Sequence, residues 1–458
     1  MIISGRTALV LLLLWQTTAV LAQRSESTDR RPGWKIDFDG SGSSPVIADG
    51  VLYVGSFDGA VYALDPSNGR LRWRFQTGEG FTSGPQVITV PPGTTVPEMM
   101  SKALAQVETG KKEVQATPVV ESGTVFVGSR DLNLYALDAT TGRKKWAFTT
   151  GGMIYTSAIV ANGKVYVVSE DAVLYAIDAT SGEKRWGFET LPQGSNRRPP
   201  GRPLLQGGTV YVTNWPFSGR DALKSYVHAV DPETGQAKWT FSVDGGFVSE
   251  PAVGAGLVFF SVSPSDDTSL YAVDAASGDV KWKASVEGSR HGLGRPPTVA
   301  GSMVYLETDK TLAAFDVRNG ELKWRFMAKD IAEGIAADER FVFVVSYGGL
   351  AMMPRGTVHA VDATTGHEAW SAGRSSVVSV QLIQGTVVYI STGGSIEAID
   401  TRTGKKIWSF KTETEVSSRP LISDRTLFVT STTQTFYGKP PKRGHMYAID
   451  PNTGKLEP

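Results

Sequence analysis

The chain has 458 residues, of which 41% are apolar, 20% charged and 10% aromatic, so it can bury a large core, and intrinsic disorder and a collagen-like fibre are excluded. The 46 basic and 46 acidic residues balance, which argues against nucleic acid or an anionic membrane as the partner of the whole chain. Because cysteine is absent, disulfides, thiol nucleophiles, thiolate metal sites, covalent haem attachment and thioether lipidation are also excluded.

Residues 1–22 have the pattern of a secretory signal peptide. Arg6 precedes the apolar run 8–15, and Val20-Leu21-Ala22 predicts cleavage before Gln23. The run is shorter than the roughly 20 residues that a membrane-spanning helix needs, so no membrane span is expected. Residues 23–33 are polar and lack periodicity, which predicts a flexible leader. The expected location is the periplasm or the extracellular space.

From residue 34 to residue 458 one motif is repeated nine times. In eight copies a tryptophan stands four residues after the glycine of an Asp-x-x-x-Gly turn, and the tryptophan strand missing from the ninth copy stands at the beginning as Trp34-Lys-Ile-Asp-Phe38. Alternating aromatic and β-branched residues between turns predict four short antiparallel strands in each copy. A first strand that completes the last unit predicts a closed β-propeller. Nine blades are expected, or eight if one copy does not form a full blade. The nine turns begin at Asp65, Asp138, Asp178, Asp231, Asp274, Asp316, Asp362, Asp400 and Asp450.

The aromatic-Val-x-Ser strand, the Tyr-Ala-Leu/Ile-Asp strand, the Asp-x-x-Thr/Ser-Gly turn and the tryptophan strand together resemble the repeat of the PQQ-like (pyrroloquinoline-quinone-type) propeller family. Segments such as VLYVGSFDGAVYALDPSNGRLRWRF carry this resemblance, which covers residues 34–458. It implies the propeller fold, and it implies either a quinoprotein dehydrogenase or a non-enzymatic scaffold of the BamB type, because the family contains both.

The spacing of the repeats predicts two different faces. The turns between the first and second strands and between the third and fourth strands have constant length, whereas the other connections vary widely. We call the surface formed by these variable connections the loop-rich face, and we expect it to be the working surface. It includes an insertion at 84–117, in which 97–107 has the spacing of a short amphipathic helix, and long loops at 214–225, 263–269, 347–357 and 431–444. Apolar side chains available there for a protein or ligand contact, or for packing the loops onto the rim, are Trp215, Phe217, Met352, Met353, Phe436 and Tyr437.

Charged residues just before several first strands are expected to point into the central funnel. Arginines that converge there would bind a small carboxylate or phosphate through the guanidinium fork. The alternative is that Glu250 and Glu333 pair with the arginines and close the channel. The candidate ligand-binding residues are Arg202, Arg295, Arg419, Glu250 and His291.

No signature of serine hydrolysis, nucleotide hydrolysis, dinucleotide binding or a zinc site is visible in the sequence. The nine turn aspartates are explained by hydrogen bonds to their own backbone, without a metal. The favoured hypothesis is therefore a non-catalytic binding or assembly scaffold of the cell envelope, with an envelope or secreted protein as its partner.

The alternative that the resemblance implies is a PQQ-dependent dehydrogenase that oxidises an alcohol or sugar with calcium, in which Arg202, Arg295 and Arg419 hold the carboxylates of the cofactor. The chain lacks the adjacent-cysteine disulfide typical of such dehydrogenases and the lipidated cysteine of the assembly lipoprotein. A carbohydrate-binding propeller is a third hypothesis, based on the loop aromatics.

Overall fold

The second and third strands of each repeat are apolar on both faces, and the fourth strand is apolar on one. In the first repeat Val51–Gly55 is buried along its whole length, whereas Leu71–Gln76 exposes Leu71 and Arg72 and buries Trp73. β-Branched and aromatic residues suit such pleated surfaces. The pattern therefore builds a blade with two buried middle strands and an amphipathic outer strand.

The computed structural model describes residues 33–38, 40, 42–78, 113–192, 201–214, 224–244, 246–263, 267–287, 295–328, 330–331, 335–350, 353–376, 378–416, 418–433 and 443–456. The regular elements in these ranges are strands, without a helix. The insertion helix expected at 97–107 lies outside the described residues, as do residues 1–32.

The chain begins its regular structure with β1 (Trp34–Phe38). Blades 1 to 3 consist of β2 (Val46–Ala48), β3 (Val51–Gly55), β4 (Ala60–Leu64), β5 (Leu71–Gln76), β6 (Val119–Glu121), β7 (Thr124–Gly128), β8 (Asn133–Asp138), β9 (Lys144–Thr149), β10 (Ile159–Ala161), β11 (Lys164–Val168), β12 (Val173–Asp178) and β13 (Lys184–Glu189). Blades 4 to 6 consist of β14 (Leu204–Gln206), β15 (Thr209–Asn214), β16 (Lys224–Val230), β17 (Ala237–Asp244), β18 (Phe247–Val248), β19 (Ala252–Gly254), β20 (Leu257–Ser263), β21 (Asp267–Asp274), β22 (Val280–Glu287), β23 (Thr298–Ala300), β24 (Met303–Glu307), β25 (Thr311–Asp316) and β26 (Leu322–Met327). Blades 7 to 9 consist of β27 (Ala336–Ala337), β28 (Phe341–Leu350), β29 (Met353–Asp362), β30 (Glu368–Arg374), β31 (Val378–Gln384), β32 (Val387–Thr392), β33 (Ser395–Asp400), β34 (Lys406–Lys411), β35 (Glu415–Val416), β36 (Leu421–Ser423), β37 (Thr426–Thr432) and β38 (Gly444–Ile449).

Within the described residues these strands form nine antiparallel sheets, one for each motif copy. In blades 1 to 8 the strands follow one another in chain order from the first strand to the fourth. Blades 5 and 9 divide their first strand into two short pieces that pair with the same neighbour, β20 and β37 respectively. The predicted all-β propeller of four-stranded blades is confirmed, and the choice between eight and nine blades is decided in favour of nine.

The last blade takes its fourth strand from the beginning of the chain, as predicted. Strand β1 pairs antiparallel with β38, with Trp34 opposite Ala448 and Phe38 opposite Gly444. His445 Nδ1 lies 2.8 Å from Asp37 Oδ1, and Lys35 Nζ bonds to Glu413. Backbone pairing and charged side chains therefore both hold the closing strand.

Each of the nine repeat tryptophans joins its blade to the next through two contacts. Its indole N–H donates to a backbone carbonyl of the following blade, at 2.8–3.2 Å in all nine cases. The turn glycine of that blade lies against the indole, and a Cβ on the glycine would approach the ring to 2.4–2.8 Å. The series includes Trp34 against Gly69 and Trp408 against Gly454, so the ring is continuous through the closing blade.

One predicted loop is wrong. Residues 347–357 were expected to form a loop, but 347–350 and 353–357 belong to the ten-residue strands β28 and β29, which pair from Phe341 opposite Asp362 to Leu350 opposite Met353. The Gly-Gly sequence at 348–349 is typical of a loop, yet the two glycines lie in the antiparallel ladder opposite Arg355 and Pro354. Blade 7 therefore carries a hairpin longer than those of its neighbours.

Candidate functional site on the loop-rich face

The face opposite the loop-rich face is built from uniform turns whose aspartates are structural. Asp178 Oδ1 accepts the backbone N–H groups of Thr180 and Ser181 at 2.9 and 2.8 Å, and its Oδ2 lies 2.6 Å from Arg185 Nη2. The hydrogen bond from Arg185, followed by those from the backbone, holds the pKa of Asp178 well below its usual value. The aspartate caps its own turn, as the sequence indicated.

Arg202 and Glu250 are brought together on the loop-rich face, at the starts of blades 4 and 5. The Arg202 backbone N–H donates to Glu250 Oε1 at 3.0 Å, and both residues are exposed. The preceding Gly201 donates its N–H to the carbonyl of Thr213 at 2.9 Å, which ties this segment to the second strand of its own blade. The carboxylate of Glu250 thus bonds to the backbone of Arg202, and the side chain of Arg202 lies at the surface.

Arg295 is placed differently, in a cluster of charged groups within blade 6. Its Nη2 donates to Asp309 Oδ1 at 2.9 Å and to the carbonyl oxygen of Ile331 at 3.0 Å, and its Nη1 lies 3.7 Å from Glu307 Oε1. The side chains of Arg295 and Glu307 are 13% and 5% exposed. Two carboxylates therefore neutralise this guanidinium, which limits what it can offer to an anionic ligand.

Arg419 lies between β35 and β36, the two pieces of the first strand of blade 9, and is exposed. Its neighbour Ser418 bonds through its hydroxyl to Thr430, which fixes the backbone here. In the described parts of the chain no contact links Arg202, Arg295 and Arg419 to one another. His291 and Glu333 lie outside the described residues.

A buried ion pair on the same face was not predicted. Arg130 Nη1 donates to Glu113 Oε2 at 2.5 Å, the two side chains are 11% and 12% exposed, and the Arg130 guanidinium lies 5.2 Å from the ring centre of Tyr155. Glu113 precedes blade 2, Arg130 connects the second and third strands of blade 2, and Tyr155 precedes blade 3, so the ion pair and the ring contact link three successive connections. The only signal in the sequence was the position of Glu113 at the end of the 84–117 insertion.

In blades 1 to 3 the turn between the second and third strands repeats one hydrogen-bonded device. An aspartate in the turn accepts a hydrogen bond from a tyrosine hydroxyl four residues later, at 2.5–2.7 Å. Burial, followed by the hydrogen bond to Asp58, raises the pKa of Tyr62 to about 12. These tyrosines remain protonated at neutral pH and stabilise the turn. The pairs are Asp58 with Tyr62, Asp131 with Tyr135, and Asp171 with Tyr175.

Among the described residues, no three His, Cys, Asp or Glu side chains lie close enough together to hold a metal ion. Over the same residues, no helix has the length and apolar character needed to cross a membrane.

The nine sheets, the tryptophan and glycine contacts and the repeat sequence define a closed propeller of the PQQ-like type. The family described as outer membrane protein assembly factor BamB matches residues 19–90, 90–219, 223–336 and 312–457. The chain therefore belongs to this PQQ-like β-propeller family.

The chain is also similar to individual proteins of both functional kinds. It is 33% identical over 129 residues to the outer membrane protein assembly factor BamB of Nitrosomonas eutropha, covering 26% of this chain and 31% of that protein. It is 27% identical over 225 residues to the quinohemoprotein alcohol dehydrogenase ADH-IIG of Pseudomonas putida, covering 49% of this chain and 23% of that protein. In both cases the match spans less than a third of the relative.

The crystal structure of BamB from Moraxella catarrhalis has a similar fold. The TM-score is 0.52 at 14% sequence identity, and the alignment covers 91% of this chain and 98% of that chain. At this identity the likeness concerns the fold alone.

Proposed function

We propose that the protein is exported and acts at the cell envelope as a non-catalytic binding or assembly scaffold, with the loop-rich face as its contact surface. Membership of the family described as outer membrane protein assembly factor BamB supports this proposal, as does the signal-peptide pattern of residues 1–22. The partner would be another envelope or secreted protein.

The contrast between the two faces of the ring carries the proposal. One face repeats the same short turn nine times, whereas the other combines connections of different length with the exposed charges of Arg202, Glu250 and Arg419. Variable loops on a rigid scaffold are the usual position of binding residues. Exposed arginines are also enriched where proteins bind one another.

Site-specific photo-crosslinking tests the contact surface. A photoreactive amino acid replaces Arg202 or Arg419 on the loop-rich face, and Arg143, an exposed arginine on the opposite face, serves as the matched control. We expect a discrete crosslinked product with a second protein from the first two positions, competed by the unmodified chain, and none from position 143. The same products from all three positions, or none from the loop-rich face, would overturn the assignment of the surface.

The alternative function is a PQQ-dependent dehydrogenase that oxidises an alcohol or sugar, and the match to ADH-IIG over 49% of the chain favours it. The three arginines suggested as the carboxylate clamp do not fit this role as a group, because Arg295 is bound to Asp309 and Glu307. Titration calorimetry of the chain with PQQ, with and without calcium, separates the two functions. Stoichiometric, calcium-dependent binding would favour the dehydrogenase, and no binding would favour the scaffold.

A further inference from the structure

One position in the third strand of every repeat, three residues before the turn aspartate, decides how neighbouring blades meet. In several blades its ring packs on a phenylalanine from the fourth strand of the preceding blade. Five repeats carry tyrosine at this position and one carries alanine, whereas two carry histidine and one carries glutamate. The residues in chain order are Tyr62, Tyr135, Tyr175, His228, Tyr271, Ala313, His359, Glu397 and Tyr447.

The long hairpin of blade 7 changes the surroundings of this position. In blades 1 to 3 a serine three residues after the second-strand aromatic stands at the turn between the second and third strands. Its hydroxyl oxygen lies 3.3–3.5 Å from the backbone N of the aspartate two residues later, which is Asp58, Asp131 or Asp171. The corresponding residue of blade 7 is Ser346, which lies within the ten-residue strand β28, several residues before the end of the strand. Its hydroxyl has no such turn to cap and points instead to the histidine of β29.

Ser346, His359 and Glu368 form a continuous hydrogen-bonded chain across three adjacent strands. Ser346 Oγ lies 2.7 Å from His359 Nε2, and His359 Nδ1 lies 2.7 Å from Glu368 Oε2. The other carboxylate oxygen, Glu368 Oε1, accepts a hydrogen bond from Ser371 at 2.8 Å. The imidazole packs on the ring of Phe326, with 5.3 Å between ring centres. Each member of the chain is therefore held in place by a second contact or by the sheet.

The hydrogen bonds favour the ionised form of Glu368. Burial raises the pKa of Glu368, but the hydrogen bonds from His359 and Ser371 outweigh it and hold the pKa below its usual value. An ionised Glu368 accepts the proton on Nδ1, and in the neutral form of the imidazole Nε2 is then the acceptor for the proton of the Ser346 hydroxyl. The side chain of His359 is 12% exposed and Ser346 is half-buried, so the hydroxyl is not sealed in the core.

The other histidine at this repeat position shows that packing alone does not produce such an arrangement. His228 in blade 4 also packs on a phenylalanine, Phe188. Its Nε2 lies 3.0 Å from the backbone carbonyl of Thr190 and its Nδ1 lies 3.0 Å from Thr240 Oγ1, so it contacts neither a carboxylate nor a serine. The combination of serine, histidine and carboxylate belongs to blade 7 among the blades whose histidines are described.

We propose that Ser346 is a nucleophilic serine, activated by His359 as general base and positioned through Glu368, and that it accepts acyl or phosphonyl groups from activated esters. A nucleophile bonded to a base that is oriented by a carboxylate is the arrangement that performs acyl transfer on unrelated folds. This activity goes beyond the binding or assembly function and does not depend on it; labelling of Ser346 would show that the scaffold also has a catalytic site.

The reaction balances with water as the second reactant. Ser346 Oγ attacks the ester carbonyl carbon while its proton passes to His359 Nε2, and the leaving alcohol then takes that proton as the ester C–O bond breaks. Water attacks the acyl-serine next, giving one proton to Nε2, and the acid leaves as the serine recovers its proton. With a fluorophosphonate the Oγ–P bond forms as fluoride leaves, and the adduct is stable.

The backbone limits the rate of this chemistry. The amide of Tyr347, the residue after the nucleophile, donates to the carbonyl of Asp330 at 2.8 Å and is therefore occupied. Loss of one oxyanion donor lowers kcat by roughly 100- to 1,000-fold in serine hydrolases. We therefore expect slow acylation by aryl esters and fluorophosphonates, rather than rapid turnover of alkyl esters or amides.

Covalent labelling of the full chain with a fluorophosphonate tests the proposal. We expect a single adduct, located on Ser346 by peptide mass spectrometry, and none in Ser346→Ala. His359→Tyr restores the residue that five other repeats carry and is expected to fold, yet it should label at least roughly 100-fold more slowly. Ser129→Ala, which removes the equivalent serine of blade 2, is the matched control and should label at the parent rate.

The role of Glu368 is tested separately, because it acts through the histidine. Glu368→Gln should slow labelling, and Glu368→Asp should recover part of the rate if a carboxylate is required. Trypsin serves as the positive control and should label completely. Three outcomes would each overturn the proposal: no adduct on Ser346, an adduct on another serine, or equal labelling rates for the parent and His359→Tyr. Thermal unfolding of every variant separates a lost nucleophile from a lost fold.

Discussion

The contact between each tryptophan and the glycine of the next blade can be tested with two substitutions in a single blade. Gly142 and Gly123 are both turn glycines of blade 2, with φ of +70° and +68°. A Cβ at position 142 would lie 2.6 Å from Trp73 Cδ2, whereas nothing lies within 4 Å of a Cβ at position 123. Gly142→Ala and Gly123→Ala therefore share the backbone cost and differ only in the clash.

The magnitudes follow from this geometry. Alanine in the left-handed region costs about 1–2 kcal/mol at either position. At position 142 overpacking adds about 1–3 kcal/mol. Trp73 is 8% exposed and its N–H donates to Ala139 at 2.9 Å, so moving the indole away also weakens a hydrogen bond worth about 1 kcal/mol. We expect Gly142→Ala to be the more destabilising variant by about 2–4 kcal/mol.

Urea unfolding followed by circular dichroism measures this difference, provided that both variants keep the parent slope of free energy against denaturant. Combining Gly142→Ala with Trp73→Leu should produce a smaller loss than the two single losses added together, because the smaller side chain relieves the clash. Equal losses of stability for the two alanine variants would refute the view that the indole contact requires glycine.

Three further predictions concern a buried histidine, the charged cluster and the closing strand. Burial lowers the pKa of His228 to about 4, so as the pH falls the unfolded state binds a proton before the folded state does. The neutral histidine therefore contributes about 3 kcal/mol to the free energy of unfolding above about pH 6.5, and this contribution is lost as the pH falls towards 4. The stability difference between the parent and His228→Tyr, measured by urea unfolding at several pH values, should therefore change over this interval, and a constant difference would contradict the prediction. Arg295→Met removes one partner of the largely buried ion pair with Glu307 and also the contact with Asp309, and should destabilise the fold by about 3–5 kcal/mol in urea unfolding, whereas Arg419→Met should change it by less than about 0.5 kcal/mol. Deleting residues 34–38 exposes the edge of β38, and we expect dimers or larger species in light scattering, whereas a monomer of unchanged stability would contradict closure by β1.

The blades could be predicted because their determinants are local and repeated. The turn Asp65 to Gly69 requires an aspartate at its start and positive φ at its glycine, and both requirements are satisfied within five residues. The same local pattern occurs nine times, and the displaced strand Trp34–Phe38 identified the closing blade. The hairpin of blade 7 was not predicted, because the composition of residues 347–357 is that of a loop and the pairing that orders it comes from the opposite strand.

The candidate site could be predicted only as a set of positions. Arg202, Arg295 and Arg419 stand two or three residues before β14, β23 and β36, yet their partners differ because those partners come from other strands and loops. Arg295 meets the carboxylate of Asp309 within its own blade and a carbonyl from the connection to the next. No spacing rule encodes these neighbours.

The sequence by itself determined the all-β class, the nine repeats and the closure of the ring, because turn chemistry and a two-residue alternation act over a few neighbouring residues. Only the tertiary structure decided that the glycine of each Asp-x-x-x-Gly turn packs against an indole from the preceding blade, that Arg295 contacts Glu307 and Asp309, and that Ser346, His359 and Glu368 are hydrogen bonded in one chain. In each of these contacts, adjacent strands or blades bring two residues within 3–4 Å of each other. Such proximity is a property of the packed ring and not of any local segment.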